Sequence, residues 1–422
     1  MSQYLQLLRK NPDYTRLWLA QVVSLLGDWF NTIVLSALVA NYSGGSGAAV
    51  SGFLLARFIP SLIIGPFAGT LIDRFNRKNL LIASDVSRAL VVLLLLLATG
   101  PDTLWLIYLL TFIQFSLSTV FEPGRNAIMP SLLRKEDLVL ANTLGSVTWS
   151  VMLAGGAIIG GLVAASFGAA FALVVDSITF LISAMLIVGI TVRPDHVRVL
   201  HQDTPAPAST ERGFRDGLRY LRQRPGLAAT LLVKLGQSLG NVDALMIIYA
   251  TELFVVGEDG IISLSLMYAA FGLGAVIGPL VLNRFNDGSV RVMRRLIIIG
   301  YAWITLAWLV FGGASSLALV SLALVMRAMG GSVNWTYSSV IIQKSVADEY
   351  LGRMFSLDMI GFQLASAASI LITGQLVDSL GIENVRFIVL GMGALSLVPL
   401  VLWGWVVRYM EKRRPAVAAA GD

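Results

Sequence analysis

The chemistry available to this sequence lies in a few ionisable side chains placed inside long apolar stretches. Asp28 stands in AQVVSLLGDWFNTIVLSALVA, Arg57 in SGFLLARFIPSLIIG, and Asp85 with Arg88 in LIASDVSRALVVLL. A charge surrounded by hydrocarbon is costly, so such a group faces a wet cavity, pairs with an opposite charge or exchanges a proton. Asp28 is about 13 residues into its run, ~20 Å deep at ~1.5 Å per residue. Arg57 is about nine residues into the returning run, ~16 Å from the inner side of a ~30 Å apolar layer. The two depths agree to within one helical turn, so the pair is expected to meet, or to share a polar cavity, near the midplane. Two readings stand at this point: Asp28 is a proton acceptor whose ionisation Arg57 tunes, or the two form a permanent ion pair holding two helices. Asp85 and Arg88, three residues apart, can meet on one helix face and read as structural. Arg327, in the middle of a later run, can bind an anionic group or answer a buried carboxylate. Asp243 and Asp176 fall toward the outer ends of their runs, where an outer vestibule or ordinary hydration accounts for them. Trp29, beside Asp28, and Trp335, within the polar segment SVNWTYSS, are the aromatic rings best placed to contact a small molecule.

The elements that must hold these groups follow from composition. Of the 422 residues 56% are hydrophobic and only 13% charged, with a mean hydropathy of +0.77. A soluble fold has too little interior for that much apolar surface. Cysteine is absent, which excludes disulfides, thiolate metal sites and cysteine nucleophiles. The two histidines, His196 and His201, share a polar connection and read as solvated linker residues. The first fourteen residues lack the compact apolar core and cleavage site of a secretory signal, so the first apolar helix is expected to stay.

Apolar runs at 15–40, 48–72, 79–98, 103–122, 139–165, 168–190, 226–253, 261–282, 292–312, 316–341, 354–378 and 384–407 are each long enough to cross a bilayer as a helix. The even-numbered connections and both chain ends carry nearly all the basic residues, among them Arg74, Arg77 and Lys78, the arginines of 193–224, and Arg291, Arg294 and Arg295. The odd connections hold only Arg386. Basic loops stay in the cytoplasm, so both termini are expected there. This skew also accounts for the sequence pI of about 9.6 without a nucleic-acid partner. The expected fold class is an all-α polytopic membrane protein of twelve transmembrane helices in two six-helix pseudo-repeat bundles. Its expected divisions are 1–190, a cytoplasmic linker at 191–225, 226–410, and a tail at 411–422. Within the linker, ERGFRDGLRYLRQRP sets Phe214, Leu218 and Leu221 at helical spacing opposite arginines, as in an amphipathic helix on the inner membrane surface.

The second connection reads GTLIDRFNRK, from Gly69 to Lys78. It resembles the G-x-L-x-D-R-x-G-R-K signature between the second and third helices of the major facilitator superfamily, with Asn76 in place of the usual glycine. The resemblance implies a gating network of Gly69, Asp73, Arg74, Arg77 and Lys78. Asp85 and Arg88 lie near it, and Asp358 in the eleventh run can approach it from the other half. Further stretches, PGRNAIMPSLLRKEDLVLANTL (123–144), DSITFLISA (176–184), FRDGLRYLRQRPGL (214–227) and LGRMFSL (351–357), are similar to the branch of drug:proton antiporters that includes macrolide and enterobactin exporters. Two further positions depart from the family. Thr111 stands where an arginine often tied to proton coupling precedes Gln114, and in GAIIGG (156–161) Ala157 replaces the proline of an exporter motif.

The resemblance implies proton-coupled efflux of a small amphipathic substrate by a monomer with the major facilitator fold in the bacterial inner membrane. Protons and membrane lipids would be its other partners. A lipid or lysophospholipid translocase on the same fold is the alternative. No G-x-x-x-x-G-K-[ST] phosphate loop occurs, and no cofactor or metal is expected. With no cysteine, no membrane histidine and no clustered carboxylates in the sequence pattern, an enzyme is not expected.

Overall fold

Backbone N–H and C=O groups find no partner in lipid, so each apolar run closes its hydrogen bonds within a helix. The computed structural model describes residues 2–191 and 219–413, less a few side chains, Asp73 among them. Among these residues twelve helices are long and apolar enough to cross a membrane, and none of the residues is in a strand. Their outward faces carry large apolar side chains, with Leu97 61%, Phe387 70% and Trp405 64% exposed. In water such a surface would drive aggregation, whereas a bilayer covers it.

Helix starts are set by short polar side chains that take up free N–H groups. Ser46 accepts from the Ala49 N–H (3.3 Å), Ser289 from Val292 (3.2 Å) and Ser316 from Leu319 (3.3 Å). Asn76, the residue that departs from the loop signature, accepts from the Asn79 N–H at 3.2 Å and begins the third spanning helix, Arg77–Leu94.

The seventh run differs from a continuous helix over 226–253. It is a helix Pro225–Gln237, an interruption, a second segment Val242–Ile248 and a π-helical turn Tyr249–Leu253. Gly240 at φ +78° turns the chain there, and Asn241 caps the second segment by accepting from the Ala244 N–H at 2.8 Å.

The chain divides into two compact units. One holds the described residues up to 191 together with Met246–Ala269, and the other holds 219–245 and 270–413. Inside the first unit the Trp29 and Tyr268 rings meet at 5.3 Å with a 60° tilt, and the Asn41 amide donates to Asp259 at 2.7 Å, which fastens the later segment to the first helix, Pro12–Tyr42. Of the expected linker helix, Phe214 and Leu218 lie outside the described residues. Tyr220 and Leu221 are described, and pack on Leu227, Leu231, Ile342, Val346 and Met354 in the second unit. His196 and His201 also lie outside the described residues. The last helix runs on to Arg413, so the beginning of the expected tail is helical.

Candidate functional site

In the first unit the ionisable groups gather on the first, third and sixth helices. Asp176, in the sixth helix (Ala169–Val188), is fully buried, and neither carboxylate oxygen accepts a hydrogen bond of normal geometry. Its nearest polar neighbours are the side chains of Asn31 and Thr179. The carboxylate lies against Gly27, so a Cβ there would overlap it and the Thr179 hydroxyl. Asp28 follows Gly27 immediately. The sequence pattern put Asp176 toward the outer end of its helix, facing an outer vestibule or ordinary hydration; in the structure it is buried against the first helix.

Asp85 and Arg88 form a buried ion pair, 0% and 2% exposed. The Ser183 hydroxyl donates to Asp85 at 2.6 Å, and the Arg88 guanidinium lies 4.3 Å from the ring centres of both Phe121 and Phe180. This pair sits about eight residues into its helix, inside the bundle, and is within electrostatic reach of Asp28. Arg57 is also within that reach but makes no ion pair with Asp28: its guanidinium lies 4.9 Å from the Phe115 ring centre and 5.8 Å from that of Phe53. Equal depth brought the two residues to one level, while the rotation of the second helix turned Arg57 onto aromatic faces. The expected contact of Asp28 with Arg57 is thus replaced by the neighbourhood of Asp28 with Asp176, Asp85 and Arg88.

Trp29 is positioned by glycines of the fifth helix, Leu138–Phe167. A Cβ at Gly156 would come 2.9 Å from its Cδ1, and one at Gly160 would come 2.8 Å from Phe30 Cδ1. The glycines of the altered exporter motif therefore serve close helix approach. Near Thr111, which is buried with its hydroxyl unpartnered, Asn31 donates to Gln114 at 3.3 Å.

The second unit holds a pair that sequence reading missed. Lys234 and Asp358 form an ion pair with both side chains fully buried. The Lys234 ammonium lies 4.3 Å from the centre of the Trp335 ring and 6.0 Å from that of Phe355. Phe362 meets Trp335 edge-on at 5.0 Å and 87°. The signal was present: Lys234 is nine residues past Pro225 and Asp358 ten past Asp348, nearly equal distances from the starts of their helices. Asp358 was expected near the second-connection charges, and the structure gives it Lys234 as its partner. Arg327, 8% exposed, donates to the Gln237 carbonyl at 2.7 Å, a group freed by the break in the seventh helix, and has Asp243 in electrostatic reach.

In the loop signature, Arg77 donates to the Ala127 carbonyl at 3.0 Å. Lys78 donates to the carbonyls of Val188 (2.8 Å) and Ile190 (2.7 Å), at the C-terminal end of the sixth helix. A cation at that end also meets the negative pole of the helix dipole. Arg74 is exposed, Gly69 lies in the helix Gly47–Arg74, and the side chain of Asp73 is outside the described residues. Among the described residues no cluster of His, Cys, Asp or Glu is disposed to hold a metal.

A buried carboxylate group in one unit, a buried ion pair in the other and twelve apolar helices are the furniture of a membrane carrier. Comparison with known proteins is in accord. The chain is 24% identical over 399 residues to the uncharacterized MFS-type transporter YfiS of Bacillus subtilis (strain 168), covering 91% of each. It is 25% identical over 386 residues to macrolide efflux protein A of Streptococcus pyogenes, covering 87% of this chain and 90% of that one. The crystal structure of the nucleoside transporter NupG superposes with a TM-score of 0.74 at 11% identity, covering 93% of this chain and 98% of that chain. This last likeness concerns the fold, which is that of major facilitator transporters. Residues 7–416 match the model of the transmembrane secretion effector family, and the chain belongs to that family of major facilitator membrane transporters.

Proposed function

We propose that the chain is a secondary active exporter, moving small amphipathic molecules out of the cytoplasm by alternating access and driven by protons. The observation that carries the coupling is Asp176: a fully buried carboxylate that accepts no hydrogen bond of normal geometry, beside a second carboxylate, Asp28. A lone carboxylate charge in an apolar interior is costly, and taking up a proton removes the charge reversibly. Two carboxylates at one crossing titrate as a unit, so the proton belongs to the pair. Its presence or absence changes the charge inside the first unit and so biases one conformation over another. Arg88, held by Asp85, and Arg57, held on its aromatic faces, keep fixed positive charge nearby for the deprotonated state.

The direction is supported by the efflux named in the S. pyogenes relative, and an ion gradient as the energy source by the lack of a nucleotide-binding loop in the sequence. The basic loops support a cytoplasmic-membrane protein with both termini inside. The monomer is proposed as the working form, since each chain carries both units.

The test is uptake of a fluorescent lipophilic dye into everted membrane vesicles when their lumen is acidified. Accumulation that collapses with an uncoupler, and is lost in Asp176→Asn, is the expected result. Exchange of labelled lysophospholipid between leaflets, with no dye accumulation, would overturn it in favour of lipid translocation.

A further inference from the structure

The Lys234–Asp358 pair lies within the second unit. Four features set it apart from a structural bolt. The cation is a lysine, which makes one ionic contact and can give up its proton inside a protein, whereas an arginine would grip both carboxylate oxygens permanently. The second oxygen of Asp358 accepts no hydrogen bond although it is buried. Aromatic faces surround the ammonium on the other side, Trp335 at 4.3 Å and Phe355 at 6.0 Å, with Phe362 set edge-on behind Trp335. The pair itself is sealed, while these three rings are each only half-buried. An ammonium held between a carboxylate and aromatic faces, as Lys234 is here, is the arrangement that recognises alkylated ammonium groups.

We propose that Asp358, Trp335, Phe355 and Phe362 bind the cationic amine head of an amphipathic substrate, and that Lys234 is the tethered occupant which that head replaces. On binding, the substrate's ammonium takes over the contact with Asp358, and Lys234 releases its proton to water. One positive and one negative charge are present before and after. On substrate release Lys234 takes a proton back and re-forms the pair. The inference rests on the transport reading for its substrate, but uses none of the carboxylates of the first unit.

Few other charges bear on this exchange. Among the described residues, Lys234 is the charged group in electrostatic reach of Asp358. From the tenth helix Arg327 holds the Gln237 carbonyl, with Asp243 opposite it. From the ninth, the Tyr301 hydroxyl donates to the Val233 carbonyl at 2.7 Å. None of these touches the carboxylate.

The experiment is equilibrium binding of ethidium, an aromatic quaternary cation, to the full chain in lipid nanodiscs between pH 6 and 9, with proton release followed in weak buffer. Wild type is expected to bind more tightly as pH rises and to release protons on binding. Asp358→Asn should weaken binding at least ~10-fold. Lys234→Gln should bind at least as tightly as wild type, without pH dependence and without proton release. Lys234→Arg keeps the charge and the fold while fixing the competitor in place, so it should lose binding at every pH; it decides the matter if Lys234→Gln does not fold. Absence of ethidium binding by wild type, undiminished binding by folded Asp358→Asn, or wild-type binding by Lys234→Arg overturns the site. The two readings fail separately. Wild type that binds ethidium through Asp358 but never moves it under a pH gradient sinks the transport reading alone. Wild type that moves ethidium while these variants bind it unchanged sinks the site alone.

Discussion

The Asp176 carboxylate in the sixth helix lies against Gly27 in the first, so that hydrogen, and no larger side chain, separates the two helices there. The crossing brings Asp176 beside Asp28 and withdraws it from any hydrogen-bond donor of normal geometry. Gly27→Val should therefore destabilise the protein by ~1–3 kcal/mol, the usual effect of overfilling a tight site. A lowered melting temperature in detergent is the expected reading; an unchanged one would show that the helices part without strain.

Asp176→Asn and Asp28→Asn should each leave the protein folded, since neither residue is held in an ion pair in the structure. Transport driven by a pH gradient should fall ~5- to 150-fold, the range of ordinary coupling free energies. Movement of dye down its own gradient should persist in both. Dye flux in vesicles, with and without an imposed gradient, separates the two effects, and full pH-driven accumulation in either variant would remove that residue from coupling.

Arg88→Ala should be among the more damaging single changes in the first unit. It strands the fully buried Asp85 without its counter-ion, a loss of ~3–5 kcal/mol. Replacing both partners by apolar residues, Asp85→Leu with Arg88→Met, should recover most of that stability. Thermal unfolding of the three proteins measures the difference, and a double variant as unstable as the single one would contradict this account.

Lys78→Ala should loosen the end of the sixth helix while leaving the fold intact. The ammonium donates to the Val188 and Ile190 carbonyls, which then lack a protein partner. The loss is ~1–2 kcal/mol, because water can replace part of the interaction at this partly exposed position. Amide exchange near residues 186–191 should quicken, with exchange in the middle of that helix unaltered.

The lack of native cysteine makes sidedness directly measurable. Asp102 and Asp287 are both exposed, in the third and eighth connections. In intact cells a membrane-impermeant maleimide should label Asp102→Cys and spare Asp287→Cys until the membrane is opened. The reverse pattern would invert the proposed topology.

Hydropathy is a local property, so the twelve runs were legible along the chain. Backbone hydrogen bonding in lipid leaves an apolar run of that length only one regular form. The family signature was legible for the same reason, being contiguous in sequence. Depth could also be read, at ~1.5 Å per residue, and it placed Asp28 level with Arg57. Depth does not say which way a side chain points around its helix, and each residue turns the direction by about 100°. Only packing settled that rotation. It sent Arg57 to Phe115, set Asp176 beside Gly27, and brought Lys234 to Asp358 across 124 residues of chain. The break in the seventh helix likewise needed the fold, because Arg327 from the tenth helix supplies the donor that the freed Gln237 carbonyl requires.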